Sequence, residues 1–306
     1  MKMITSRFRR SLAARRAKFQ VVFKNLRALL SYKEQKTNQI TVVMVGRNDD
    51  YMPNFNKRLL ITLKWNLRLA KEAIFVEWNP PKNRPLLAHN LTKQFTTLRA
   101  YIVSPELHAR VCRNSNLSMM EYFGKNVGIR RSHTDWVCVT NCDIMLGPDV
   151  LSWLASNDLS ENTIYRAQRI DADWRGEQSV LWFLLNPKRY TKLYPVREYC
   201  LAGSGDFVLS SRRLWFMARG YDESLLEHRI HCDSRGIMQL VALGGRVQLI
   251  GSAFHLNHPT SCSYGVQLHH GLPASITEGI PYLNADTWGL SDCQEILIGD
   301  RIWMLR

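Results

Sequence analysis

Polar residues able to do chemistry recur directly after short apolar runs of this 306-residue chain. Asn48 and Asp49 follow the run 40–45, Glu77 closes the run 73–77, and Asn141 and Asp143 follow the run 136–140. A carboxylate in such a place can hold a cation, accept hydrogen bonds from a ligand or take a proton. Two further acids stand out: Asp206, beside Gly203 and Gly205, and Asp233, which opens a helical stretch. Glycines beside Asp206 permit close approach of backbone, whereas Asp233 also suits an N-cap. Late in the chain, His255-x-x-His258 offers two imidazoles, with Cys262 nearby. No CxxC pair accompanies them, so structural zinc is the lesser reading.

The elements that must position these residues alternate regularly. The pattern predicts a strand over 40–45, a polar loop over 46–50 and a helix to about Ala70. Strands over 73–77 and 98–103 follow, the first ended by Asn79-Pro80-Pro81. Asp50 reads as a turn or helix cap ahead of Pro53. Ser118 and Glu121 have the spacing of a capping box, opening a helix through 124–131, and 136–140 is a fourth strand. Strands over 163–169, 206–210 and 246–250 and helices over 211–218 and 233–243 complete the pattern. Residues beyond about Gly265 lack periodicity and are expected to wrap the surface. Strand–helix alternation implies an α/β fold with a mostly parallel mixed sheet flanked by helices. Ligands of such sheets bind outside the carboxyl ends of the strands. Asn48, Asp49, Glu77 and Asp143 all fall at that edge.

The formal charge is +15, from 41 Lys and Arg against 26 Asp and Glu. Residues 1–36 hold eleven of the cations and one acid, Glu34, so they carry +10 of it and the body is nearly balanced. Phe8, Leu12, Phe19, Val22, Phe23, Leu26, Leu29 and Leu30 recur mostly at helical steps among those cations. That pattern suits a helix lying in the interface of an anionic membrane. An organelle transit peptide, a flexible basic tail and a helix packed on its own domain are the other readings. No apolar run approaches the roughly 20 residues of a membrane span. Seven scattered cysteines without CxxC pairs favour reduced thiols over a disulfide framework. A composition with 45% hydrophobic residues excludes a disordered or fibrous chain.

With these residues in view, the sequence resembles family-2-like glycosyltransferases of the GT-A fold. TVVMVGRNDD (41–50) looks like their first strand and loop, and IFVEWNPP (74–81) like the strand ending in an acid that contacts the nucleotide base. YFGKNVGIRRSHTDWVCVTNCDIML (122–146) is similar to their block of helix, strand and DXD-type metal motif. GDFVLSSRRLWFMARGYDE (205–223) with Asp233 resembles their acceptor side, and His255 or His258 stands where several supply a late metal-binding histidine. The resemblance spans about 40–258. The chain departs from it at Asn141-Cys142-Asp143, where the first acid of the metal motif is absent, and at 78–81, where the usual acidic, Ser-rich loop is replaced. It looks like a divergent branch.

The resemblance implies a 40–260 catalytic domain between the basic arm of 1–36 and a C-terminal extension, 261–306, packed on the domain. It implies transfer of a sugar from a nucleotide-diphosphate sugar to a cell-surface or lipid-linked glycan acceptor. Mn2+ or Mg2+ would be held by Asp143, His255 and His258, a hard carboxylate with imidazoles. Asn48, Asp49, Glu77, Lys125 and Asn141 would bind the donor, and Arg130 or Arg131 would add positive charge. Asp233, ahead of Asp206, would take the acceptor proton, and a single base opposite the leaving group implies inversion. The arm would place the enzyme on the cytoplasmic, inner face of a membrane. Trp65, Trp174, Trp182 and Trp215 are core residues or sugar platforms. The alternative is a non-catalytic nucleotide-binding scaffold whose arm grips membrane or nucleic acid. The body lacks interleaved basic and aromatic residues, so nucleic acid is not the expected partner. A phosphate-transferring enzyme would need a Gly-rich phosphate loop, and no GxxxxGK[ST] is present.

Overall fold

The apolar runs become the inner strands of one sheet. The computed structural model describes residues 2–31, 39–49, 52–176, 179–196, 198–227, 231–258 and 283–306. Asp50, Cys262 and the stretch just after Gly265 lie outside the described residues. Helix α1 (Lys2–Ser31) precedes β1 (Ile40–Gly46), α2 (Phe55–Asn66), β2 (Glu72–Trp78), α3 (Leu87–Gln94), β3 (Leu98–Val103), α4 (Pro105–Val111) and α5 (Glu121–Arg130). Next come β4 (Trp136–Thr140), β5 (Ile144–Leu146), α6 (Pro148–Ser156), β6 (Thr163–Ala172), α7 (Val180–Leu184) and β7 (Tyr190–Leu193). The chain closes with β8 (Phe207–Ser211), α8 (Arg212–Ala218), α9 (Cys232–Ala242), β9 (Arg246–Leu256), β10 (Glu295–Gly299) and β11 (Ile302–Leu305).

The sheet runs β10-β11-β3-β2-β1-β4-β8-β6-β9-β5, with β7 beside β6. Strands β11, β3, β2, β1 and β4 run parallel to one another, and the edge strand β10 is antiparallel to β11. Strand β8 turns antiparallel to β4, and β6 and β9 pair in parallel again. This is the expected α/β class. In β1, Val42 and Met44 enter one core cluster while Val43 and Val45 enter the other, so the strand is apolar on both faces, as helix-covered parallel sheets require. Among the described residues Cys112, Cys138, Cys142, Cys200, Cys232 and Cys293 are free thiols.

Helix α5 sits unusually close to the sheet. A Cβ on Gly124 would fall 2.7 Å from Val45 Cγ1, and one on Gly128 would fall 2.3 Å from Val43 Cγ1. The Gly124-x-x-x-Gly128 stripe therefore sets the depth at which Lys125 and Asn126 are buried. Gly128→Ala is expected to lose about 1–3 kcal/mol through overpacking. A shift of the urea midpoint with unchanged m-value would register it; an unshifted midpoint would show that the helix can retreat without loss.

Several expectations require correction. Ser118 and Glu121 form no capping box: Met120 stands at the N-cap of α5, and the Ser118 carbonyl accepts from Asn79 Nδ2 at 2.9 Å. Strand β9 continues six residues past 250 and β6 runs to Ala172. In β9 the small and polar Gly251 and Ser252 interrupt the apolar run, and Ser252 Oγ donates to Asp149 Oδ2 at 3.0 Å. Nor do the described C-terminal residues merely wrap the surface, since β11 pairs in parallel with β3. Arg131 fastens this segment, donating to the carbonyls of Gly289 (2.6 Å) and Leu290 (3.0 Å) and pairing with Glu295. Arg130 lies over Trp288. Both arginines thus hold the C-terminus.

Candidate functional site

Helix α2 fastens the turn that follows β4. Thr62 Oγ1 donates to Cys142 O (2.8 Å), Asn66 Nδ2 to Ile144 O (2.8 Å) and Trp65 Nε1 to Leu146 O (2.6 Å). These bonds fix Asn141-Cys142-Asp143 at the carboxyl edge of the sheet. On the far side, β5 pairs with β9 so that Ile144 faces His255, and the Asp143 carbonyl accepts from Leu256 N at 2.8 Å. Arg58 of α2 completes the frame: it is buried over Trp174 and donates to the carbonyls of Leu256 and Asn257, shaping the chain between the two histidines.

The result is a cluster. One ligand atom each of Asp143, His255 and His258 lie within 4.8 Å of one another. Asp143 Oδ2 is 2.9 Å from His258 Nε2 and 3.2 Å from His255 Nε2. Behind His255, its Nδ1 lies 3.1 Å from Asp171 Oδ1, its partner in the β6–β9 register. Burial alone would raise the Asp143 carboxyl, but the charge and hydrogen bond of His255, then those of His258, hold it well below the usual range. Burial would lower the His255 imidazole, and Asp143 outweighs it, with Asp171 adding, so that it rises to about 9. Burial raises Asp171 too, but His255 and Arg169 bring it down to about 2. Arg169 Nη2 also reaches His255 Nδ1 at 2.8 Å. A nitrogen cannot donate to Asp171 and accept from Arg169 together; the Asp171 carboxylate can only accept, so it is assigned the Nδ1 proton, and Arg169 is anchored by Asp171 and Asp206.

These residues fit a divalent cation. A carboxylate oxygen and two imidazole nitrogens suit Mn2+ and, less well, Mg2+, and a carboxylate behind one imidazole is the usual outer support of a metal-binding histidine. Asn141 Oδ1, buried in the same turn, has no hydrogen-bond donor among the described residues.

Asp206 and Asp233 flank one turn from two sides. Gly203, at φ +67°, lies against Asp206 and Arg169, and Gly205 lies against Asp233 and Lys125. Asp206 is bound by Arg169 Nη1 at 2.9 and 3.2 Å; burial raises its carboxyl, opposed chiefly by Arg169. Asp233 stands in the first turn of α9, whose N-cap is His231, and its side chain is 23% exposed. The wholly buried Lys125 Nζ pairs with Asp233 Oδ1 (2.9 Å) and Glu121 (2.7 Å) and reaches Gly205 O at 3.4 Å. Burial pulls this ammonium down, and Asp233 and Glu121 hold it above its ordinary range. The geometry gives Lys125 protein carboxylates as partners.

Of the residues expected at the nucleotide, Asn48 donates to Pro85 O at 2.9 Å and Asp49 pairs with Arg47. Glu77 has a different task. Its wholly buried carboxylate accepts from Leu87 N and Ala88 N, both at 3.0 Å, neutralising the N-terminus of α3. It presents no surface to a ligand. Trp65, Trp174 and Trp215 are buried, which removes them as sugar platforms, while Trp182 is half exposed. Sequence reasoning missed Arg58, Arg166, Arg169 and Asp171. The Arg169-x-Asp171 pair in a strand beside His255 was the one available signal.

Burial raises Glu77 from 4.5 to about 7 against the two amides of α3. Glu223 rises equally, by burial against Asn126 and the amide of Gly289. Between pH 4.5 and 7 the folded chain keeps protons that the unfolded chain has released, so stability falls as pH rises. Each group gives a slope of about 1.4 kcal/mol per pH unit. Urea midpoints across that window should therefore decline with pH, and Glu77→Gln should flatten the decline; an unaltered slope would refute the assignment.

No known protein family and no curated protein matches the sequence. Among solved structures, the chain is similar to the mannosyltransferase PcManGT from Pyrobaculum calidifontis in complex with GDP-Man and Mn2+. The identity is 12% and the TM-score 0.45, over 80% of this chain and 67% of that one. It is similar also to GalNAc-T7 with UDP, GalNAc and Mn2+, at 11% identity and a TM-score of 0.47, over 78% of this chain and 46% of that one.

Proposed function

We propose that this chain is a divergent GT-A-type glycosyltransferase, moving a sugar from a nucleotide-diphosphate sugar to a cell-surface or lipid-linked glycan. The observation that carries the reading is the convergence of Asp143, His255 and His258 within 4.8 Å, where the turn after β4 meets the end of β9. The ordered motifs of residues 41–223 support it. In this reading Asp143, His255 and His258 hold Mn2+ or Mg2+. The cation, when bound, offsets negative charge growing on the leaving diphosphate.

The chain's own residues do the rest. Asp171 holds the Nδ1 proton of His255, leaving Nε2 for the cation. Asn48 and Asp49, past the end of β1, meet the nucleoside. Asp233 takes the proton of the acceptor hydroxyl as it attacks. Lys125, fixed by the depth of α5, orients that carboxylate through Oδ1. Asp206 is the poorer base, because both its oxygens bind Arg169. One base acting opposite the leaving group gives inversion at the anomeric carbon. Residues 1–36 bring the enzyme to the cytoplasmic face of a membrane.

The test is a thermal-shift screen of nucleotide sugars and nucleoside diphosphates, each with and without Mn2+. A ligand at a hundredfold over its Kd should add about 2.7 kcal/mol of stability. Mn2+-dependent stabilisation by one nucleotide is the expected result. No response from the folded protein would overturn the reading in favour of the non-catalytic scaffold.

A further inference from the structure

Helix α1 has two unlike long faces. One is docked: Val21 and Asn25 are buried against the domain, Asn25 Oδ1 accepts from Asp149 N at 3.2 Å, and Lys24 pairs with Asp149 at 3.2 Å. The other carries Leu12, Phe19, Phe23, Leu26 and Leu30, at steps of seven, four, three and four residues, which is a single helical stripe. The protein leaves that stripe uncovered: Phe19 is 63% exposed, Phe23 69% and Leu30 81%. Arg15, Arg16 and Arg27 border it by their helical positions. Phe19 also forms one wall of a cleft of about 390 Å³ lined by Arg15, Lys18, Pro187 and Lys188. Among the described residues that cleft has three cations and no carboxylate.

We propose that this face is the docking surface for a bilayer containing anionic lipid, with the apolar stripe in the acyl boundary and a lipid phosphate in the Arg15–Lys18–Lys188 cleft. The inference rests on the placement of residues 1–36 at a membrane and names the residues and lipid chemistry involved. Charge decides the occupant. Sequence positions 2–31 hold no acid, so a second copy on the same face would set cations against cations. Phosphates of nucleic acid would leave the stripe of phenylalanines and leucines in water. An anionic bilayer meets both demands. No helix among the described residues is long and apolar enough to cross a membrane, so α1 lies along the surface.

The experiment is co-sedimentation of the full chain with vesicles of phosphatidylcholine alone, or phosphatidylcholine mixed with phosphatidylglycerol. Binding to the mixed vesicles only, weakened by salt, is the expected result. Phe19→Ser with Phe23→Ser, and separately Lys18→Glu with Lys188→Glu, should each weaken it at least tenfold while melting as the parent does. Equal binding to both vesicle types, or parental binding by both double variants, would overturn the proposal. So would protection by inorganic phosphate without vesicle binding, which would mark an anion site alone. A dimer lost in the phenylalanine variant would likewise overturn it, assigning the stripe to a second copy. Vesicle binding is read without donor, and the Mn2+-dependent nucleotide shift without vesicles, so either reading can fail alone.

Discussion

Asp143→Ala is expected to abolish divalent-cation binding and to lower sugar transfer about 10³-fold, or about 4 kcal/mol of transition-state stabilisation. Asp143 is the carboxylate of the cluster, and His255 and His258 both converge on its Oδ2. Without it, two imidazoles remain to hold a divalent ion in competition with protons. The carboxylate also lifts the imidazole of His255, so its removal should lower that group's titration. Asp143→Asn separates charge from shape: it should fold as the parent does, show no Mn2+-dependent nucleotide shift and share most of the loss in kcat. Retention of Mn2+-dependent turnover in the asparagine variant would remove Asp143 from the site.

The second large effect falls on a residue that touches no reacting atom in the proposed scheme. Arg166 is wholly buried and donates to the carbonyls of Cys200 (3.1 Å), Gly203 (2.9 Å), Ser204 (3.1 Å) and Phe207. One planar fork therefore holds the turn that carries Asp206 and abuts Asp233. Arg166→Met keeps bulk and strands these acceptors, so a loss of about 3–5 kcal/mol is expected. Arg166→Lys should recover only part, because a single ammonium cannot span four carbonyls. The urea midpoint reads the stability. Turnover below denaturing conditions reads the placement of the turn, and should fall more than the folded fraction does. A methionine variant within about 1 kcal/mol of the parent would show that water replaces the guanidinium.

How far the sequence revealed the fold depended on what each run had to bury. The parallel strands β1 to β4 were legible because both faces are apolar, and 98–103 and 136–140 match β3 and β4. Strand β9 was half legible, since Gly251 and Ser252 sit where it passes Asp149. Helices α3 and α4 were missed, being short and lacking the periodicity of a long amphipathic helix. Strand β10 was missed because its edge position leaves Leu297 and Ile298 exposed, without a clean alternation, and β11, one strand further in, is only the four residues Ile302–Leu305.

At the site, the sequence brought out Asp143 and both histidines because acid and imidazole end strands. It could not separate a carboxylate that meets a ligand from one that closes a helix, which is why Glu77 was misplaced. Both stand at a strand's carboxyl end; burial and the amides of Leu87 and Ala88 make the difference. Arg58 and Arg166 were invisible for a related reason. An arginine inside an apolar run looks like an exposed residue until the carbonyls it holds are seen.

In the proposed scheme Asp143, His255 and His258 together bind the cation that engages a nucleotide diphosphate. Pulsed electron paramagnetic resonance of the full chain with Mn2+ and a nucleoside diphosphate tests it directly. Nitrogen couplings from two imidazoles, reduced in His255→Ala and in His258→Ala, are expected together with a phosphorus coupling from the nucleotide. Bound Mn2+ without nitrogen coupling, or no bound Mn2+ at all, would contradict it.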